Sequence, residues 1–150
     1  MIGLIQRVSK ASVSVDQHIV GSIDKGLLLL LGIEKHDSQQ ALEKLARKIA
    51  NIRIFEDEHG KMNVSLFDLY KQDKSVSLLV VSQFTLVADT AKGNRPGFSN
   101  SAPPTLGEDL YKRFITHFEQ HYCPCQRGQF GANMQVSLVN DGPATFHLQV

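Results

Sequence analysis

The sequence predicts an α+β fold, a curved sheet or barrel covered by two main helices, and three observations lead there. Several short segments alternate apolar and polar residues with period two, the pattern of half-buried strands. Only two segments carry a helical period, and they lie far apart in the chain. Turn-forming clusters separate the segments. A chain of 150 residues is long enough for one domain, 1–150, with a substantial core.

From Val8 to Val15, apolar Val8, Ala11, Val13 and Val15 interleave with Ser9, Ser12 and Ser14, which predicts a strand. After Asp16-Gln17, His18 to Ile23 reads as the second arm of a hairpin, stopped by Asp24-Lys25-Gly26. Leu27 to Ile33 is apolar almost throughout, as expected of a strand buried on both faces. Asp37 or Ser38 can cap a helix reaching about Asn51, with Leu42, Leu45, Ala46 and Ile49 on one face and Glu43–Arg47 as an i,i+4 pair. Ile52–Phe55 and Val76–Leu86 read as further strands, with a polar loop around His59-Gly60 between them. Residues 88–104 shift to Gly, Pro, Asn and Ser, a long ordered loop of the kind that usually carries function. Thr105 precedes Glu108 by three residues, a capping box for a second helix to about Tyr122 that buries Leu110, Phe114 and Phe118. Met134–Val139 and Ala144–Val150 close the chain as strands.

Composition narrows the function. A hydrophobic content of 42% with 21% charged residues suits a globular protein, and a net charge of +1 does not suit a DNA-binding surface that grips a long backbone. A small contact such as the end of an RNA strand remains compatible. The longest apolar run is too short to span a bilayer, and Gln6, Arg7 and Lys10 interrupt the early apolar residues, so neither membrane nor signal segment is expected. Cys123 and Cys125 are too close in sequence to form a disulfide framework, which fits a cytoplasmic protein.

Ser82, Thr85 and Cys123 are the candidate nucleophiles, yet no histidine or carboxylate neighbours Ser82 or Thr85 in sequence to activate them. Thr85 is the best of these, since a strand would set it beside Gln83 on one face. His117, His121, Cys123 and Cys125 are all zinc-ligand types, but a single proline between the cysteines is a poor spacing, so no metal and no cofactor is expected. Lys92 and Arg95 in the long loop are candidate phosphate contacts, and Arg7 joins them only if it faces the same cleft.

Asn140-Asp141-Gly142-Pro143-Ala144-Thr145 lies between the last two extended segments. Its simplest reading is a tight hairpin turn. Gly-Pro can also present main-chain carbonyls to a small ligand, because glycine permits close approach and proline fixes the backbone. Together with Ser82-Gln83-Phe84-Thr85-Leu86, this segment closely resembles the bacterial D-aminoacyl-tRNA deacylases. The resemblance extends to Met1-Ile2, Leu4–Val8, Arg53-Ile54-Phe55, Gly60–Asn63 and Met134–Val139, so it covers the chain from end to end.

The resemblance implies a curved, largely antiparallel β-barrel-like sheet flanked by the two helices, in a homodimer with active sites at the interface. It implies an editing hydrolase that frees D-amino acids from the acceptor end of aminoacyl-tRNA, and acts on glycyl-tRNA as well. Ser82, Gln83, Phe84 and Thr85 would form the catalytic pocket, and Phe130 and Met134 would seat the terminal adenosine. Gly142-Pro143 would be a cis peptide inserted into the partner's site, where it blocks L side chains. Two positions depart from the family pattern: Ala144 stands where valine is usual, and Gly97 where serine is usual. A non-catalytic binding module for tRNA ends and a Thr85-nucleophile esterase are the competing readings.

Overall fold

In the computed structural model, which describes residues 1–150, β1 (Ile2–Val15) is the hub on which the sheet is built. It pairs antiparallel with β2 (His18–Ile23), with β3 (Gly26–Gly32) and with β8 (Gln135–Gln149). β3 continues through parallel pairings to β6 (Ser77–Ser82) and β7 (Cys125–Arg127). The six-stranded sheet therefore runs β2-β1-β3-β6-β7, with β8 on β1. Its two ends meet: a Cβ placed on Gly21 of β2 would stand 2.6 Å from the Arg127 carbonyl oxygen of β7. Only a residue without a side chain fits that seam, and the sheet is nearly closed as a result.

β3 explains why one strand is apolar throughout. Leu27, Leu29 and Leu31 belong to the main core, which also takes in the inward faces of the helices. Leu28 points the other way, into a smaller cluster with Val8, Ala11, Val13, Ile23, Leu79 and Val81 that fills the barrel interior. α1 (Gln39–Asn51) starts at Ser38, whose hydroxyl accepts from the Ala41 N–H, and buries Leu42, Leu45, Ala46 and Ile49. The expected Glu43–Arg47 pair is replaced: Glu43 accepts from the Gln39 amide at 2.7 Å.

α3 (Pro104–His121) buries Leu110, Phe114 and Phe118. The Thr105–Glu108 capping box does not form, because the helix begins two residues earlier, with Pro103 rather than Thr105 as the flanking residue and Pro104 in its first turn. Proline supplies the preset φ there and has no N–H to satisfy.

The strand expected over Ile52–Phe55 is present, and three short elements lie outside the sequence reading, its partner strand first among them. β4 (Arg53–Glu56) pairs with β5 (Met62–Ser65) as a separate two-stranded ribbon, turning through Gly60 at φ +71°. α2 (Leu66–Gln72) follows, capped by the Ser65 hydroxyl on the Asp68 N–H at 3.1 Å. β7 has three residues, too few to show alternation.

Two expectations change where the site lies. The strand expected over Val76–Leu86 ends at Ser82, and Phe84–Val87 form a 3-10 turn. The two closing strands are one, β8, so 140–145 is not a hairpin turn. Gln6 pairs with Thr145 and Val8 with Asn140, so two steps along β1 are matched by five along β8. The three surplus residues loop out as a wide bulge opposite Arg7.

Candidate active site

β3 and β6 run parallel and end side by side, so Leu31 and Ser82 sit at one edge of the sheet. The Gln83 N–H donates to the Leu31 carbonyl at 2.8 Å, after which the chain turns into the 3-10 segment. Gly32 lets that turn settle on the sheet; a Cβ there would lie 3.0 Å from Cβ of Leu86. Next to this edge, the Tyr111 hydroxyl of α3 donates to the Val80 and Gly128 carbonyls at 2.8 and 3.2 Å. Burial pushes that phenol well above its usual range, so it stays protonated as a donor. It ties the segment after β7 to β6. Phe130 then leans on Gly107 of α3, and Met134 lies over Gly128, where a Cβ would stand 2.5 Å from Sδ.

These pieces enclose a cleft of about 740 Å³. Leu31, Ile33 and Val81 make its apolar floor, Ser82, Gln83 and Phe84 one wall, and Phe130 to Val136 the other. The β1–β2 turn contributes Asp16 and Gln17, both with positive φ (48° and 65°), and Ser14. Asp16 is the one ionisable side chain in this lining. No histidine, cysteine, lysine or arginine reaches it.

The structure gathers Ser82, Gln83, Phe84, Phe130 and Met134 around this cleft. Thr85 is exposed outside the lining, and its hydroxyl accepts a hydrogen bond from the Gln83 amide. That contact arises from the turn, not from a shared strand face. The Phe84 and Thr85 N–H groups open the 3-10 turn, where no preceding turn residue accepts from them. Lys92 and Arg95 are exposed in the long loop, which the paired Asp89 and Gly97 close at its base (2.8 and 2.9 Å).

Arg7 does not face the cleft and is corrected as a tRNA contact. Its side chain is 3% exposed, and it is the one buried charged residue. Nε donates to the Asp141 carbonyl at 3.1 Å and lies 3.0 Å from its carboxylate in an ion pair, and Nη1 donates to the Ile54 carbonyl at 2.5 Å. Asn140 adds a second tie, donating to the carbonyls of Arg7 (2.9 Å) and Ala144 (3.3 Å). Between these anchors, Gly142 and Pro143 are exposed, their peptide bond is cis, and neither lines the cleft of its own chain.

The zinc-ligand string does not converge. Cys123 and Cys125 are buried free thiols, and burial pushes Cys123 up to about 12. His117 and His121 stack on each other at 4.2 Å along α3 instead.

Sequence reading missed Ser14, Asp16, Gln17, Ser101, Ala102 and Asn133 as lining residues. The Asp16-Gln17 turn was legible, but its place at the cleft depends on sheet closure.

A family model described as D-Tyr-tRNA(Tyr) deacylase matches residues 4–149. The D-aminoacyl-tRNA deacylases of Shewanella frigidimarina, Shewanella amazonensis and Alteromonas mediterranea are 57%, 55% and 53% identical, each over the whole of both chains. Among solved structures, a c-Myc DNA unwinding element binding protein superposes with a TM-score of 0.92 at 41% identity, covering 100% of this chain and 99% of its own. A structure titled as a probable eukaryotic D-amino acid tRNA deacylase shares the fold, with a TM-score of 0.78 at 15% identity over 99% of this chain and 98% of its own. Matched from end to end in sequence and in shape, the chain belongs to the D-Tyr-tRNA(Tyr) deacylase family.

Proposed function

We propose that this protein is an editing hydrolase that cleaves the ester of D-aminoacyl-tRNA to free D-amino acid and tRNA and rejects the L form. The observation that carries the mechanism is the chemistry of the cleft: Asp16 is its one ionisable lining residue. A nucleophile needs an adjacent base, and neither Ser82 nor Thr85 has one. Catalysis therefore rests on position. Water adds to the ester carbonyl, the bond to the ribose 3′-oxygen breaks, and the leaving oxygen takes a proton, with the neighbouring 2′-hydroxyl of the tRNA assisting. The N–H groups of Phe84 and Thr85 hold the oxygen on which negative charge develops. Phe130 and Met134 seat the terminal adenosine.

Chiral selection comes from Gly142-Pro143 of a second copy, inserted across a homodimer interface. Their exposure outside the cleft of their own chain supports this, as does the pair of anchors that hold them. Their carbonyls receive the α-amino group, and their backbone occupies the space an L side chain would need. An apolar pocket separates similar groups by only about 1–3 kcal/mol, so a rigid wall is the better discriminator. Glycyl-tRNA, with no side chain to reject, is a substrate too. The substrate places the enzyme in the cytoplasm. The near-neutral charge and the absence of cations from the cleft lining favour a strand end over duplex DNA.

Deacylation of matched D- and L-tyrosyl-tRNA, with and without chelator, tests this. Release of only the D form, unaffected by chelator, is expected. Release of both would overturn the Gly-Pro wall, and stoichiometric binding with no release would favour a non-catalytic module.

A further inference from the structure

The cleft wall does not stop at Phe84. That side chain is 60% exposed, and 5.1 Å from its ring centre lies Phe98, itself 40% exposed, with the two rings tilted at 58°. Two large aromatic side chains held in the open are costly unless they meet something, since each leaves apolar surface in water. They are not loose. Phe98 directly follows the Asp89–Gly97 pairing, and its carbonyl accepts from the Ser101 N–H at 3.0 Å. Asn100 accepts from the Lys35 N–H at 2.9 Å, and the Ala102 N–H donates to Ile33 at 3.0 Å. The ring is presented from a backbone pinned on both sides.

The same loop supplies charge. The excursion closed by Asp89 and Gly97 carries Lys92 and Arg95, both exposed and neither in an ion pair. Lys35 Nζ donates to the carbonyl of Ser99, the residue that follows Phe98, at 3.4 Å. An exposed aromatic surface next to cations is what single-stranded nucleic acid recognises, bases on rings and phosphates on ammonium and guanidinium groups. The pair continues outward from a cleft already occupied, in the reading above, by the esterified terminal nucleoside.

We propose that Phe84 and Phe98 form a second nucleotide subsite, which stacks the base preceding the terminal adenosine while Lys92 and Arg95 hold the connecting phosphates. This deepens the hydrolase reading of the same cleft and rests on it. The subsite selects an unpaired strand end, since a base in a duplex has no free face to offer. It makes the enzyme distinguish an aminoacyl-RNA from an aminoacyl-nucleoside without reading sequence.

The test compares D-tyrosyl-adenosine, the D-tyrosyl ester of the dinucleotide CpA, and D-tyrosyl-tRNA, with wild type, Phe98→Leu and Phe98→Tyr. Wild type is expected to prefer the dinucleotide over the nucleoside by about tenfold in kcat/KM, the size of effect one base–aromatic stack supports. Phe98→Leu keeps apolar bulk and is expected to lose that preference through KM, with D-tyrosyl-adenosine turnover within about twofold of wild type. Phe98→Tyr restores it. Lys92→Ser with Arg95→Ser is expected to flatten the salt dependence on tRNA. Equal losses on nucleoside and dinucleotide would overturn the subsite, as would an intact preference in Phe98→Leu. A shift of Phe98→Leu to a smaller sedimenting species would show that a second copy covers the pair, and would overturn it too. If wild type cleaves none of the three, the hydrolase reading itself falls, and the subsite with it.

Discussion

Replacing Arg7 with methionine removes the guanidinium that holds Asp141 and the β4 edge, leaves the Asn140 tie in place, and keeps an unbranched chain of similar length. Four contacts are lost: to the Asp141 carbonyl, to its carboxylate, to the Ile54 carbonyl and, more distantly, to the Glu56 carboxylate. The Ile54 carbonyl is the costly one, because a buried acceptor left without a donor loses about 1–3 kcal/mol. The Asp141 carboxylate is 54% exposed, so water screens that pair and its loss costs at most about 1 kcal/mol. Glu56, at 3.9 Å and 61% exposed, adds less. A net loss of about 2–3 kcal/mol should lower Tm by roughly 5–10 °C in a chain of this size. Freed of its main anchor, Gly142-Pro143 should shift, and displacement on the order of 1 Å costs up to about 100-fold in rate. Differential scanning calorimetry and deacylation of D- and L-tyrosyl-tRNA read both effects. Unchanged Tm and an unchanged D/L ratio would refute the reasoning. Lower Tm with an unchanged ratio would leave Arg7 as a fold residue with no part in chiral selection.

Other substitutions probe separate parts of the site. Tyr111→Phe removes the hydroxyl shared by the Val80 and Gly128 carbonyls; unfolding in urea should show a loss of about 1–3 kcal/mol, and the KM for tRNA should rise as the Phe130 wall loosens. Thr85→Ala should keep deacylation within about tenfold of wild type, because the hydroxyl accepts from Gln83 and meets no base; abolished turnover would establish a threonine nucleophile. The buried thiols should resist iodoacetamide at pH 8 in the folded protein and react once it unfolds. Burial raises Cys123 from 9.0 to about 12, so its stabilising effect is complete below pH 9 and is lost as pH rises towards about 12. Urea midpoints that hold steady across that window would contradict the burial.

Local patterns suffice where a single contact range sets the structure. The α1 stripe Leu42, Leu45, Ala46 and Ile49 is buried as its period requires, and Ser38 caps the helix. The all-apolar β3 serves two cores, as a strand without polar alternation must. Short elements were lost because too few residues carried a period: β7 has three, and α2 spans less than two full turns. The 3-10 turn at Phe84–Val87 imitates strand alternation over Gln83 and Thr85, and nothing local separates the two. Asn140–Thr145 reads as a hairpin for the same reason, since glycine and proline suit a turn and a bulge alike. What decides for a bulge is the pairing of residues on both sides with one partner, β1.

Residue order along the chain is enough for the α+β class, the helical and strand faces, and the two motifs on which the family resemblance rests. Those are properties of neighbours along the chain, set by side-chain period and by the backbone limits of glycine and proline. Only the assembled sheet brings Asp16 and Gln17 from the first hairpin into the same cleft lining as Met134 and Gln135. It decided as well that Arg7 would be buried under Asp141 rather than offered to a phosphate. Both outcomes depend on strand register and on closure at Gly21, where residues more than a hundred positions apart are brought into contact, and no local pattern encodes such a meeting.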